Sequence, residues 1–216
     1  KRHGANSIIE YKNQGLLPNA LLNYLALLGW SPGNDLEFLN PNDIAKLFEI
    51  RGLSTSPSIF DPEKLSWVNG VHIRELDDKK LSGILKEKVK LNSTHDNRYD
   101  EDNYLKIASL IKERIKSLND IYPLIKFFFD YDLPKKELIK CGNLKNSEIK
   151  NLIIRLTEDF KLLIEKNRID TQNIEDLLRK NCKELELKVR DYLSLIRNCI
   201  TGSEISPPLF ESIEIL

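Results

Sequence analysis

Histidines, cysteines and arginines are the residues of this chain whose types could carry chemistry, and their spacing sorts them. His3, His72 and His95 lie on three separate segments, and neither HExxH nor GxxxxGK[ST] occurs. None of the three stands beside a serine or cysteine at a recognisable nucleophile elbow. Cys141, Cys182 and Cys199 form no CxxC pair and have no histidine at metal-ligand spacing. No catalytic residue and no metal site is therefore expected. The arginines offer a different chemistry. Arg190, Ser194, Arg197 and Thr201 recur at steps of four, three and four, which makes one polar stripe on a helix, opposite Val189, Tyr192, Leu193, Ile196 and Ile200. Two roles fit Arg197: a guanidinium that reaches base edges or phosphate, or a solvated cation favoured by the dipole at a helix C-terminus. Lys112, Arg114 and Lys116 form a second basic edge with the same two roles open.

Helices must hold those stripes. Ser7 with Glu10 three residues on has capping-box spacing, and Gly15 ends that turn. Ala20, Leu21, Tyr24, Leu25, Leu27 and Leu28 then predict an apolar helix stopped by Gly29, with Pro32 and Gly33 beyond. Asn42 is a candidate cap for a helix carrying Ile44, Leu47 and Phe48, and residues 54–62 are a Ser/Pro-rich connector. Asp61 before Pro62 predicts an N-cap and first helical residue, with Leu65, Val68 and His72 or Ile73 on the buried face. Tyr104, Ile107, Ala108, Ile111, Ile115 and Leu118 repeat at three or four and predict a helix over 104–118, entered from a polar loop at 93–103. Further helical patterns cover 119–129, 136–140, 147–165, 172–182, 185–200 and 207–216. With no alternating strand pattern and no fixed-period repeat, the expected class is all-α, in irregular helical bundles. His72 is expected to be packed or capping, His95 solvated, and the Phe127 to Phe129 run with Tyr131 to be core rather than a stacking platform for bases.

Composition narrows the function classes. The 216 residues are 41% apolar and 31% charged, enough for a substantial core, and 33 Lys plus Arg balance 33 Asp plus Glu. That balance excludes the footprint of a polybasic nucleic-acid binder, so any such partner must be recognised by local faces. An odd number of cysteines argues against a disulfide framework, and there is no apolar run of about 20 residues to span a bilayer. The expected location is the cytoplasm. Methionine is absent and the chain starts at Lys1, which predicts a piece of a longer protein. Leu209, Phe210, Ile213 and Leu216 keep helical spacing to the last residue and predict the same at that end.

Three blocks carry a resemblance: "KRHGA" leading to "LPNALLNYLALLGWSPG", then "FDPEKLSWVNGVHIREL", then "TGSEISPPLFESIEIL" at 201–216. Together they resemble bacterial glutamyl-tRNA synthetases, a class I family, whereas 80–185 is similar only in helical texture and in "ERIKSLNDI". The resemblance implies that Lys1 and Arg2 are the end of the ATP-binding loop and that the catalytic fold precedes residue 1. It further implies a stem-contact domain at 1–78 and an α-helical anticodon-binding cage made of domains at 79–126 and 127–216. Bacterial glutaminyl relatives carry β-barrel anticodon domains instead. By the same resemblance Arg197 reads the anticodon, Ser206, Pro207 and Leu209 contact its first two bases, and Arg114 reads its third. A serine stands at 206 where relatives can carry threonine, and the hydroxyl is expected to matter more than the methyl.

The implied partner is tRNA(Glu), bound by a monomer, with neither DNA nor membrane. The parent joins glutamate to that tRNA through ATP with Mg, whereas this chain alone is expected to bind no cofactor and to make no adenylate. The alternative from another class is a helical protein-interaction module on a synthetase-like scaffold without tRNA binding.

Overall fold

A computed structural model of the chain describes residues 7–33, 36–95 and 97–216, so Lys1 and Arg2 lie outside the described residues. The described residues form eleven α-helices and two 3-10 turns, with an isolated bridge between Trp30 and Leu53 as the only β pairing among them. The all-α expectation holds. Backbone contacts divide the chain into two units, residues 7–85 with 111–123 and residues 86–110 with 124–216.

In the first unit, α1 (Ile8–Asn13) begins with the capping box read from Ser7 and Glu10. The apolar helix α2 (Pro18–Gly29) packs on α4 (Pro62–Arg74) through Ala20, Tyr24, Leu65 and Val68. Between them, α3 (Pro41–Leu47) is capped by Asn40 and not by Asn42. Pro41, which lacks an N–H, takes the first helical position, so the cap falls one residue before it. Asn40 Oδ1 accepts the N–H groups of Asn42 and Asp43. Asp61 caps α4 as its sequence predicts, and its own N–H donates to the Tyr24 hydroxyl at 2.6 Å.

A polar knot sits inside this helical packing. Asn23, fully buried, accepts the Leu39 N–H at 3.1 Å and faces His72 Nε2 at 2.9 Å with the same oxygen. Because that oxygen is an acceptor, the neutral imidazole must carry its proton on Nε2. Burial lowers the His72 pKa from its ordinary value of 6.5, opposed by the weaker pull of Glu75. His72 is thus the packed histidine the sequence implies.

In the second unit, α8 (Asn146–Glu165), α9 (Thr171–Glu184), α10 (Val189–Thr201) and α11 (Leu209–Ile215) enclose a core of Ile149, Leu152, Ile174, Leu178, Tyr192, Leu195, Ile196, Leu209 and Ile213 with Cys141 and Cys182. Burial raises the pKa of all three thiols, in keeping with inert packing residues. Phe127, Phe128 and Phe129, at the end of α7 (Ile121–Phe129), are buried, and Tyr99 meets Phe129 edge-on at 5.4 Å. These three are core and not an open stacking platform, but Tyr131, read with them, is 51% exposed, its hydroxyl donating to the Cys199 carbonyl at 2.7 Å. His95 Nδ1 lies 2.9 Å from Asp130 Oδ1, so this exposed loop histidine has a partner besides solvent.

Candidate nucleic-acid interface

Arg114 stands on a turn and not on a helix. The helix expected over 104–118 is α6 (Glu101–Ile111), which stops four residues before Ile115. The apolar period continues because Ile111 and Ile115 are both buried, but the backbone tightens: Arg114 N–H donates to Ile111 C=O at 2.8 Å, an i to i−3 bond. Asp120 completes the break by accepting the N–H groups of Lys116 and Ser117 at 3.0 and 2.8 Å. A short acceptor close to backbone donors competes with helical bonding in this way.

The turn is pinned on both sides of Arg114. Lys112 Nζ pairs with Asp78 at 2.8 Å, and Arg74 Nε lies 3.7 Å from Glu113. Asn69 Nδ2 donates to the Lys116 carbonyl at 2.6 Å and its Oδ1 accepts the Leu17 N–H at 2.8 Å. Gly15 then accepts the Leu118 N–H at 3.0 Å, while Ser117 Oγ donates to Gln14 C=O at 2.7 Å. Gly15 has φ +79, and a Cβ there would stand 2.4 Å from Ser117 Oγ and 2.8 Å from the Asn119 nitrogen. Only glycine combines that left-handed backbone with such an approach. Of the basic edge read from the sequence, Lys112 is spent in an ion pair, while Arg114 and Lys116 are exposed.

Arg197 lies in the second unit, on the last turns of α10. The polar stripe is real: Arg190, Ser194 and Arg197 line one groove of about 810 Å³ together with Leu193, Pro208, Leu209, Phe210 and three glutamates, Glu175, Glu204 and Glu211. The opposite face differs in two respects from its sequence reading, the first being that Leu193, expected opposite the polar stripe, lines the groove with it. Val189, the first residue of α10, is 45% exposed, and Leu195 and Asn198 are buried instead. A first-turn residue has no preceding turn of its helix to bring it against the core.

Arg197 is half-buried and its Nε donates to Ser206 Oγ at 3.0 Å. Ser206 is buried, and its hydroxyl in turn donates to the Pro207 carbonyl at 3.0 Å. That chain of two bonds fixes the plane of the guanidinium. The loop carrying Ser206 is set by Gly202, which ends α10 at φ +69 with its N–H on Asn198 C=O. A Cβ at Gly202 would come 3.0 Å from the Asp132 carbonyl. Thr201 Oγ1, 2.9 Å from both the Arg197 and the Ser203 carbonyls, faces its own backbone and not the groove. Pro207 and Leu209 are buried, Leu209 while also lining the groove.

The anticodon binding domain family matches residues 79–216. This chain belongs to that family. Ahead of the anticodon-binding domain, residues 1–67 match the catalytic domain of class I tRNA synthetases of the E and Q type. Glutamate–tRNA ligase 2 of Caldicellulosiruptor saccharolyticus is 32% identical over 218 residues, covering 100% of this chain and 44% of the ligase. The glutamate–tRNA ligase of Borrelia duttonii is 35% identical over 228 residues, covering 100% and 43%. The chain therefore spans less than half the length of the curated relatives it matches. A crystal structure of a glutamate tRNA ligase from Elizabethkingia meningosepticum in complex with its amino acid shares the fold, with a TM-score of 0.81 over 95% of this chain and 39% of that one, at 23% identity. None of these matches favours the protein-interaction alternative.

Within the anticodon-binding domain, Arg197, Ser206, Pro207 and Leu209 are thus gathered about the junction of α10 and α11. Arg114 belongs to the other unit. Five groove residues were not read from the sequence as site residues: Glu175, Glu204, Pro208, Phe210 and Glu211. For Pro208, Phe210 and Glu211 the only signal was adjacency to Leu209 in the "PPLFES" segment, and Glu175 and Glu204 had none.

Proposed function

We propose that this chain recognises the stem and anticodon of tRNA(Glu), as the RNA-binding part of a glutamate–tRNA ligase. The observation that carries the proposal is the Arg197 guanidinium, held by Ser206 at the edge of a groove, in a domain of the anticodon-binding family. Unstacked anticodon bases expose their Watson–Crick edges, and sequence-specific RNA recognition works by hydrogen bonds to such edges from oriented side chains. A guanidinium fixed in plane donates in a defined direction, which suits it to acceptors at fixed positions on a base edge.

Arg197 reads the anticodon, with Ser206, Pro207 and Leu209 shaping the contact to its first two bases. Arg114, exposed on a turn held by Asn69, Asp120 and Gly15, reads the third base. Residues 1–78 contact the stem, and 79–126 and 127–216 form the anticodon cage. In the whole ligase, ATP with Mg supplies the activation of glutamate, and Lys1 and Arg2 steady its phosphates electrostatically. The chain alone binds tRNA and forms no adenylate. Its setting is the bacterial cytoplasm, as a monomer, with neither membrane nor DNA as partner.

The test is Arg197→Ala, assayed by filter binding to tRNA(Glu) at fixed salt. A lost polar base contact costs about 1 to 3 kcal/mol. Unchanged affinity overturns the role given to Arg197.

A further inference from the structure

A cavity of about 380 Å³ opens in the first unit, where α1 and α4 meet the turn that carries Lys116 and Ser117. That volume is in the range of small-ligand sites. Tyr11, Leu16, Phe60 and Leu65 give it an apolar wall, and Ser66 and Lys116 give it polar groups. Among the described residues that line it, Lys116 is the one charged group and no carboxylate opposes it. The groove at Arg197 differs, because three glutamates line it with two arginines.

Phe60 and Lys116 are each held in place and left open. Phe60 meets the buried Tyr24 ring edge-on at 5.3 Å, and the next residue, Asp61, donates its N–H to the Tyr24 hydroxyl. The Phe60 ring is nevertheless 40% exposed, with Tyr11 tilted beside it at 6.3 Å. Lys116 is fixed through its backbone, its N–H on Asp120 Oδ2 at 3.0 Å and its carbonyl on Asn69 Nδ2 at 2.6 Å. Its ammonium is exposed and pairs with no described residue. An exposed aromatic face stacks any base, because every base has a π-face. A lysine ammonium is a point charge that matches the single charge of one phosphodiester. A terminal phosphate carries about two charges, for which the cavity has no second cation. The Ser66 hydroxyl on the same wall donates and accepts, as a ribose hydroxyl does.

Resting on the RNA-binding reading above, we propose that this cavity is a site for one unstacked nucleotide of the bound RNA, its base stacked on Phe60 and its phosphodiester paired with Lys116. Stacking and a single phosphate contact do not distinguish bases, so the site contributes affinity and register, not sequence choice. Lys116 lies two residues beyond Arg114 on the same pinned turn. A nucleotide fixed at Lys116 therefore sets the register of the base that Arg114 meets.

The experiment measures tRNA(Glu) binding by filter retention over a series of salt concentrations. Lys116→Ala makes the plot of log affinity against log salt shallower by about one, the signature of one lost phosphate contact, and Lys116→Arg restores the slope. Phe60→Leu keeps an apolar side chain without a π-face and weakens binding about tenfold at fixed salt, with the slope unchanged. Phe60→Tyr keeps the ring and binds as the native chain does, so the pair separates lost stacking from lost packing. An unchanged slope in Lys116→Ala overturns the proposal, as does native affinity in Phe60→Leu. Adenosine monophosphate is the probe for a free ligand: if it shifts the Phe60 ring resonances to saturation while tRNA stays bound, the cavity serves a free nucleotide and the proposal falls. Arg197→Ala distinguishes the two levels. If it weakens tRNA binding while the Lys116 and Phe60 variants do not, only this site fails. If the native chain does not bind tRNA(Glu), the RNA-binding reading fails, and this site with it.

Discussion

Replacing Ser206 by alanine removes a hydroxyl that is buried and holds two bonds at once, from Arg197 Nε and to the Pro207 carbonyl, each 3.0 Å long. A hydrogen bond to a charged group contributes about 1.5 to 3 kcal/mol net. Arg197 is only half-buried, so water can replace part of that bond in the RNA-free chain. The loss that remains for RNA binding is the ordering of the guanidinium, about 1 kcal/mol, or roughly a fivefold weaker Kd. Fluorescence anisotropy with a labelled anticodon stem–loop reads it directly, at one fixed salt concentration because phosphate contacts shift with salt. Ser206→Thr is the control. It keeps the oxygen and adds a methyl to a buried site, which can lower stability by about 1 kcal/mol but leaves the Arg197 bond in place. The expected order of affinity is native, then threonine close behind, then alanine. Alanine binding as tightly as native, or threonine binding as poorly as alanine, refutes the claim that this hydroxyl orients Arg197.

Three further outcomes follow from the geometry. Arg114→Gln should relax discrimination at the third anticodon base while leaving the first two unaffected, as read by competition between tRNA variants; equal discrimination by both chains counts against that role. Gly15→Ala should lower thermal stability by at least ~1 kcal/mol from the left-handed backbone alone, and the forced movement of Ser117 and Asn119 should weaken RNA binding through the Arg114 turn. An unchanged melting profile contradicts it. The folded-state pKa of His72 is depressed, so in the window below 6.5 the unfolded chain binds the extra proton and the folded chain does not. The stability this group confers is present above pH 6.5 and lost as pH falls toward the folded value. His72→Gln should flatten that part of a stability-versus-pH curve, whereas a variant curve parallel to the native one excludes the histidine as its source.

Helical periodicity made the Arg190, Ser194 and Arg197 stripe legible, because residues three and four apart on one helix must share a face. Its partner was not legible. Ser206 lies nine positions beyond Arg197, past a left-handed Gly202 and an irregular loop, and no period connects the two. Arg114 shows the opposite failure. The apolar rhythm through Ile111 and Ile115 predicted a continuous helix, but rhythm registers burial and not backbone bonding, and Asp120 redirected the backbone donors into a turn. The cap of α3 was misplaced by two residues because Asn40 and Asn42 offer the same side chain, and the position of Pro41 decides between them. The groove position of Glu211 was not legible either, because a charge on a short helix looks the same in sequence whether it faces solvent or a groove.

The central claim is that this chain distinguishes one tRNA from another by its anticodon. Titrating the purified chain with tRNA(Glu) and with the same transcript carrying a substituted anticodon, under identical salt, tests it most directly. The account predicts tight binding of the first and an affinity for the second lower by at least about tenfold. Equal affinities for the two, or no binding of either, contradict it.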